Sequence, residues 1–536
     1  MASKSKSIIG GMTVLGIAGI ICKLVGVLFS IPLTYVIGAQ GQGIYNAVFP
    51  TYNLLLTISS AGLPVAVSRM VSSALAKDDP HSAKHVFRVA LLLLTTLGCL
   101  AAIIMLAGSG MLAARVNQPD SKIGFQVIAP CVAVVCMMSA FRGFIQGQQD
   151  MVPTAISQLI EQVGKVFLAL PMAYIGNQMG GVAMGAAGAL LGTTIVEGIA
   201  LLYMILLYFR RRSRFDAIPQ LAPEQNASTK RIAEQLMVIA IPITIGSCIV
   251  PLSQFIDSAM LVNRCVVSGL THDAAVETYG VFSGMVIRLI NIPTALSLAV
   301  SMSLVPAISS AWAVQDMDAV QRQTNLGLRF AFLIGLPCSV GMSVLSEQIF
   351  RFFYQGSLSE ENIMTGSTLL MVSSLTVVLF TVVQATSSIL QGVRKQRIPM
   401  YTLVAGVVCK IALNYTLVGI PGFNIHGAPI SSLVCYTVSL VPNLYYVMKY
   451  TGTKFNWRDW LGGPGPGAPA GQRLVRPGIA TLAMGGGVCL MTRILPFSRL
   501  LTIVEVAVGV AVFVVTAIWT KALTKEDLNA FRRKRK

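Results

Sequence analysis

Residues 7–36 read SIIGGMTVLGIAGIICKLVGVLFSIPLTYV, a long apolar run with a single charge, Lys23. About 20 mostly apolar residues suffice for a helix to cross the ~30 Å hydrocarbon layer of a bilayer. The run is too long for a signal-peptide core and lacks a small-residue cleavage site after its short basic start, Lys4 and Lys6, so it reads as a retained first membrane helix. An ionised side chain near the bilayer centre costs roughly 2.5 to 3.5 kcal/mol on insertion scales, which makes Lys23 a functional candidate by itself. Gly16, Gly19, Gly26 and Ser30 recur around it at helical spacing, forming one small-residue face that carries one cation. Such a face suits either a cavity or close packing on another helix.

The pattern recurs along the chain. About fourteen apolar stretches are long enough to span: roughly 7–36, 43–71, 87–113, 123–145, 153–176, 182–209, 233–262, 279–307, 326–350, 365–391, 399–420, 427–449, 476–495 and 500–520. A chain that is 54% hydrophobic and 11% charged, with a mean hydropathy of +0.72, is not a soluble domain with one apolar core. Span length and the lack of period-two alternation favour helices over a barrel, so the fold class expected is an all-α polytopic membrane protein. The ten cysteines, among them Cys22, Cys131, Cys136 and Cys409, fall mainly inside spans without metal-ligand spacing and read as apolar filler.

A net charge of +19 raises the question of nucleic acid, and its placement answers against it. Assigning loops alternately to two sides puts about 28 Lys/Arg with the N-terminus and about six opposite, the asymmetry of cytoplasmic loops. Both termini are therefore expected in the cytoplasm. The clusters Arg210, Arg211, Arg212 and Arg214, then Arg394, Lys395 and Arg397, then Arg532 to Lys536, would lie at an anionic leaflet, either as topology anchors or as binders of acidic lipid.

The longest polar interruption divides the first twelve spans into two sets of six, and the halves resemble each other. GIYN at Gly43 and SSALA at Ser72 are matched by GVFS at Gly280 and SSAWA at Ser309 at an offset of about 237. IQG ending at Gly147 and GKVFLAL from Gly164 are matched by LQG ending at Gly392 and CKIALNY from Cys409 at about 245, and the sixth and twelfth spans open on Gly-Ala at Gly188 and Gly427. Six helices per repeat keep both copies in one membrane orientation. Parallel lobes are expected, with a substrate site at their interface near the midplane. The boundaries expected are an N-lobe at 1–210, a cytoplasmic linker at 211–231, a C-lobe at 232–450, a Pro/Gly-rich linker at 451–475 containing GGPGPGAPAG, accessory helices at 476–520 and a basic tail at 521–536. Pro242, Pro251, Pro293 and Pro306 lie inside spans, as hinges or as static kinks.

Four more cations interrupt spans: Arg69, Lys165, Arg288 and Lys410. Arg288 has no acid one helical turn away, Arg69 is near enough to a span end to snorkel, and Lys165 follows Glu161 in the orientation that favours an intrahelical pair. Lys410, its counterpart in the repeat, has Gly406 behind it and Asn414 ahead. Asp257 and Glu197, with Glu161, are candidates for charge balance or for a coupling ion. Asn46, Tyr52 and Asn53, beside Tyr45, are candidates for headgroup contact or interfacial anchoring. Cations exceeding acids near the midplane favour an anion such as a diphosphate over an organic cation. The sequence contains neither G-x-x-x-x-G-K-[ST] nor H-E-x-x-H, so no metal or other cofactor is expected, and turnover would draw on membrane potential, Na+ or H+.

Three stretches carry a family resemblance: IPLTYVIGAQGQGIYNAVFPTYNLLLTISSAGLPVAVSRMVS from Ile31, FRGFIQGQQDMVPTAISQLIEQVGKV from Phe141, and CKIALNYTLVGIPGFNIHGAPISSLVCY from Cys409. Over roughly residues 7–450 the chain resembles the stage V sporulation protein B and polysaccharide-flippase branch of the multidrug/oligosaccharidyl-lipid/polysaccharide (MOP) exporter superfamily. The resemblance implies twelve core helices in two lobes, often with two more that form a groove for a lipid tail, and alternating access. CKLVG at Cys22 looks like the SRxLG of lipid II flippases, with Lys23 where they carry a cavity arginine, and RLINIP at Arg288 resembles their RLxxxP. Leu55, Leu56 and Thr57 stand where they can carry a further arginine. The expected function is translocation of an undecaprenyl-diphosphate-linked glycan, lipid II first, across a bacterial inner membrane, in contact with cell-wall synthesis proteins and without nucleic acid. A cation-coupled drug antiporter of the same superfamily and a membrane glycosyltransferase are the rivals. The first would need central acids and the second a catalytic acid in a large loop.

Overall fold

The computed structural model describes the backbone of residues 2–77, 79–216, 228–453, 475–494, 497–520 and Ala522. Most of the linker expected at 211–231, nearly all of that at 451–475 and the basic tail lie outside the described residues. Packing divides the chain into two compact units, Met1–Gly284 and Met285–Lys536. The described residues are almost wholly helical.

The first unit contains α1 (Ala2–Ser60), α2 (Leu63–Leu75), α3 (Pro80–Ala107), the short α4 (Ser109–Arg115), α5 (Lys122–Gly147), α6 (Val152–Gly164), α7 (Leu170–Asp216), α8 (Thr229–Val267) and α9 (His272–Gly280). A π-turn, Lys165–Ala169, joins α6 to α7. Two of these helices are hairpins. At Gly38 (φ 65, ψ −171) α1 enters a backbone region that essentially only glycine occupies. Gln42 Nε2 then donates to the Ser30 carbonyl at 3.4 Å and to Thr34 Oγ1 at 3.0 Å, whereas a straight helix would part residues 30 and 42 by ~18 Å. Gly180 and Gly181 (φ 71, ψ −164) break α7 likewise. Beyond the break Gly188 and Gly192 pack on the backbone of Met172 and Ala169, so closely that a Cβ on Gly192 would lie 2.4 Å from the Ala169 Cα. Twelve helices among the described residues are long and apolar enough to span a membrane. Two of them, Ile21–Leu75 and Val152–Arg210, contain these reversals and cross twice, which accounts for fourteen crossings.

The second unit contains α10 (Ile287–Ala313), α11 (Met317–Val344), the short α12 (Ser346–Tyr354), α13 (Glu360–Gly392), α14 (Arg397–Leu417), α15 (Gly427–Thr451), α16 (Val475–Ile494) and α17 (Arg499–Trp519). Leu304, Ile308, Leu328, Val382, Ile389 and Val447 form its main core, and Met484, Val488 and Phe513 pack the last two helices against the Leu333–Leu345 part of the unit. Pro242, Pro251, Pro293 and Pro306 all lie within continuous helices.

Internal packing repeats at the offsets read from the sequence. In the first unit Gly147 seats on Val71 and Ser68, and in the second Gly392 seats on Ile308 and Val305. Gly98 meets Ala133 and Cys136; Gly335 meets Val378 and Thr381. Asp79 caps α3 through the Ser82 amide at 2.9 Å, and Asp316 caps α11 through the Ala319 amide at 2.9 Å. Gln149 and Arg394, equivalent loop residues, both adopt positive φ, 65° and 61°. Lipid gives helices no hydrophobic reason to associate, so backbone approach through small residues is the attraction that remains, and the same glycines recur because the same approach recurs.

Gly43 and Gly280, equivalent in the repeat, meet each other inside the first unit. A Cβ on Gly43 would lie 2.3 Å from the Val276 carbonyl oxygen, and one on Gly280 would lie 2.0 Å from that of Ala39. Residues 39 and 276 are themselves equivalent, so the crossing is locally two-fold, each helix offering the same patch to the other.

Candidate functional site

Four charges sit together in the first unit. Arg142 on α5 donates to Ser157 Oγ from Nε at 3.0 Å and from Nη2 at 2.8 Å, and Nη2 also pairs with Glu161 Oε1. Lys165 Nζ lies 3.5 Å from Glu197 Oε1. Glu161 and Glu197 are 9% and 4% exposed. This corrects the expected Glu161–Lys165 pair. The Lys165 amide does donate to the Glu161 carbonyl, so the helical spacing holds. Each side chain nevertheless takes its partner from a neighbouring helix, because a guanidinium on α5 and a carboxylate on α7 stand closer to its tip, and the π-turn starting at Lys165 faces it toward α7.

Tyr52 is buried against this group, its hydroxyl 3.3 Å from Cys131 Sγ. Tyr45 stacks on Phe49, centroids 5.8 Å apart, and Phe49 continues to Tyr52. Asn46 belongs to the glycine crossing: its Nδ2 donates to the Gln42 carbonyl at 2.7 Å, and its own carbonyl accepts from the Tyr279 hydroxyl at 3.1 Å. Ser30 Oγ donates to the Gly284 carbonyl beside them at 3.1 Å. Asn53 is half-buried.

Lys23 stands apart from the balanced group. Its neighbours face α6, Cys22 Sγ donating to the Gln158 carbonyl at 3.5 Å and Gly26 lying beside Gln162, while Lys23 itself is exposed and has no ion pair among the described residues. Arg69 is on the exposed side of α2, whose buried residues are Leu63, Ala66, Val67 and Val71. Asp257 is half-buried and within electrostatic reach of Tyr279. In the second unit Arg288 and Lys410 are half-buried, and Asn414 is fully buried with its Oδ1 accepting no hydrogen bond among the described residues. The first unit thus brings Lys165, Glu161, Glu197 and Tyr52 together and leaves Lys23 and Arg69 outside the cluster.

Sequence reading missed Arg142. It lies in the span 123–145, close enough to its end to pass as a snorkelling residue. Four charges within one folded unit are a different matter, since each desolvated ion here has its counter-ion and the set sums to zero. Among the described residues no group of three or more His, Cys, Asp or Glu could hold a metal ion. All ten cysteines are free.

Comparison with known proteins agrees with this architecture. The polysaccharide biosynthesis protein family matches residues 8–312, and the MatE family matches residues 242–416. The chain is 26% identical to the lipid II flippase MurJ of Bacillus subtilis (strain 168) over 469 residues, 84% of each chain. It is also 26% identical to stage V sporulation protein B of the same organism over 423 residues, 78% of this chain and 80% of the relative. Among solved structures, lipid II flippase MurJ in an inward closed conformation superposes with a TM-score of 0.67 at 13% identity, covering 95% of this chain and 98% of that one. An inward-facing MATE family multidrug resistance transporter gives a TM-score of 0.67 at 15% identity, covering 80% of this chain and 94% of the other. With more than half its length matched, and with helices enough for fourteen crossings, the chain belongs to the polysaccharide biosynthesis protein family and is a multi-pass membrane protein.

Proposed function

We propose that the protein is a flippase carrying an undecaprenyl-diphosphate-linked glycan, lipid II for peptidoglycan synthesis first among them, from the inner to the outer leaflet of a bacterial cell membrane by alternating access. The observation that carries this reading is Lys23, an exposed lysine on a membrane helix with no ion pair among the described residues. A diphosphate is the anion such a cation would hold, by charge-assisted hydrogen bonds strengthened away from bulk water. Arg288, Lys410 and Arg69 are the further cations assigned to it, with Asn53 and Asn414 as headgroup contacts. Residues 1–210 and 232–450 are the lobes that would rock, 476–520 the pair that would take the lipid tail, and membrane potential, Na+ or H+ the drive. Cell-wall synthesis proteins are the partners expected, and both termini are assigned to the cytoplasm.

Resemblance to two Bacillus proteins, one of them a lipid II flippase, supports this reading over most of the chain. Fold likeness to multidrug transporters supports a second, cation-coupled drug efflux. The charge pattern favours the first, because Glu161 and Glu197, the buried acids a cationic drug would need, are already taken by Arg142 and Lys165.

The test is lipid II exposure on the outer leaflet of cells depleted of their own flippases. The intact chain should restore it, Lys23→Ala combined with Arg288→Ala should lose it at least tenfold, and Lys23→Arg should keep it. A well-expressed intact chain that restores nothing would remove lipid II and direct the search to other polyprenyl-linked glycans.

A further inference from the structure

We propose that Glu197 Oε2 is a proton-binding site of this transporter, and that its occupancy releases Lys165 from its ion pair. The four-charge group leaves one buried side-chain atom without a partner among the described residues. Arg142 serves Glu161 and Ser157, and Lys165 serves Glu197 Oε1, but Glu197 Oε2 is buried without a hydrogen-bond partner among the described residues. An ionised carboxylate oxygen in that position forgoes a strong interaction that both its surroundings and its charge call for. A proton is the ligand that fits. Among the described residues no set of His, Cys, Asp and Glu could complete a metal shell there.

The groups facing Glu197 come from every element around it. Lys165 lies on the π-turn, Glu161 on α6, Cys131 and Arg142 on α5, and Tyr52 on α1, while Tyr45 acts on Lys165. Access comes through the partners, since the side chains of Arg142, Glu161 and Lys165 keep 14%, 12% and 14% exposure against 5% for Glu197. Hydronium gives its proton to Oε2 and leaves as water, and no other bond changes. The group then passes from neutral to one excess positive charge, carried by a lysine ammonium that has lost its carboxylate. If the flippase reading holds, that ammonium is a diphosphate ligand available only in the protonated state, so proton and anion binding support each other. The proton site itself does not depend on which substrate is carried.

Difference infrared spectroscopy on the full chain in lipid nanodiscs, alkaline against acid buffer, reads the site directly. A buried protonated carboxyl with no strong hydrogen bond gives a carbonyl stretch at the high-frequency end of its range. That band should appear on acidification, be retained in Glu161→Gln and be lost in Glu197→Gln. Should Glu197→Gln fail to elute as a monodisperse protein, the charge-free pair Glu197→Gln with Lys165→Met serves instead, with the same loss expected. A band that survives removal of Glu197, one that depends on Glu161, or none in the intact chain would overturn the proposal. Loss of the lipid II reading alone would leave the infrared result standing.

Discussion

Lys165 and Glu197 show how little one residue's sequence neighbourhood says about its partner. Glu161 is the nearer acid in sequence, yet the bridge runs to a residue on the other side of a π-turn and a further helix. Removing one member of a buried pair leaves an uncompensated ion and costs about 3 to 5 kcal/mol, while removing both costs far less. Lys165→Met and Glu197→Gln should therefore each lower the unfolding midpoint sharply, and the double variant should recover much of the loss. Thermal unfolding followed by intrinsic fluorescence checks this, and additive losses would mean that the pair is not coupled. Lys23 is the opposite case. Its position in an apolar run is legible from sequence, and so is its lack of an acid one turn away. The spacing of Gly16, Gly19, Gly26 and Ser30 left open whether that face packs or is exposed, and the structure turns Cys22 and Gly26 to α6 and leaves Lys23 exposed.

At the scale of elements, glycine decides the architecture. Without the reversals at Gly38 and Gly181, α1 and α7 would be rods far longer than a bilayer is thick, and the hairpin contacts Gln42–Ser30 and Gly192–Ala169 could not form. A Cβ on a backbone with φ 71 and ψ −164 costs about 1 to 3 kcal/mol. Gly181→Ala should accordingly reduce stability by that order, and Met184→Ala, which leaves the backbone free, should cost less. Comparison of the two melting curves tests the assignment, and equal losses would shift the cause from backbone to packing. The Gly43–Gly280 crossing has no room to relax, because the neighbouring atoms are the backbone of Val276 and Ala39. Sequence repeats marked both glycines as equivalent; that they touch each other was not readable from the offset.

For the whole molecule, the membrane fixes topology before any tertiary contact forms. Basic loops are retained on the cytoplasmic side, and the clusters Arg210–Arg212, Arg394–Arg397 and Arg532–Lys536 all fall with the N-terminus when fourteen crossings are counted. Reporter fusions at each end should be active only in the cytoplasm, and an extracytoplasmic signal from the C-terminal fusion would require an odd number of crossings. Two helices in one register, Asp79-capped α3 and Asp316-capped α11, carry the same argument into packing: one repeated set of caps and glycines builds both units.

The sequence alone determined the solvent, the number of crossings, the repeat and the in-span cations other than Arg142. Each follows from local composition or from an offset along the chain, since apolar length, charge cost and turn chemistry act within about 30 residues. Which acid answers which base, which small-residue face is exposed, and which oxygen is left without a partner were decided only by tertiary structure. Those outcomes depend on distances between helices far apart in the chain, and a competition among several oppositely charged neighbours is settled by where their tips meet.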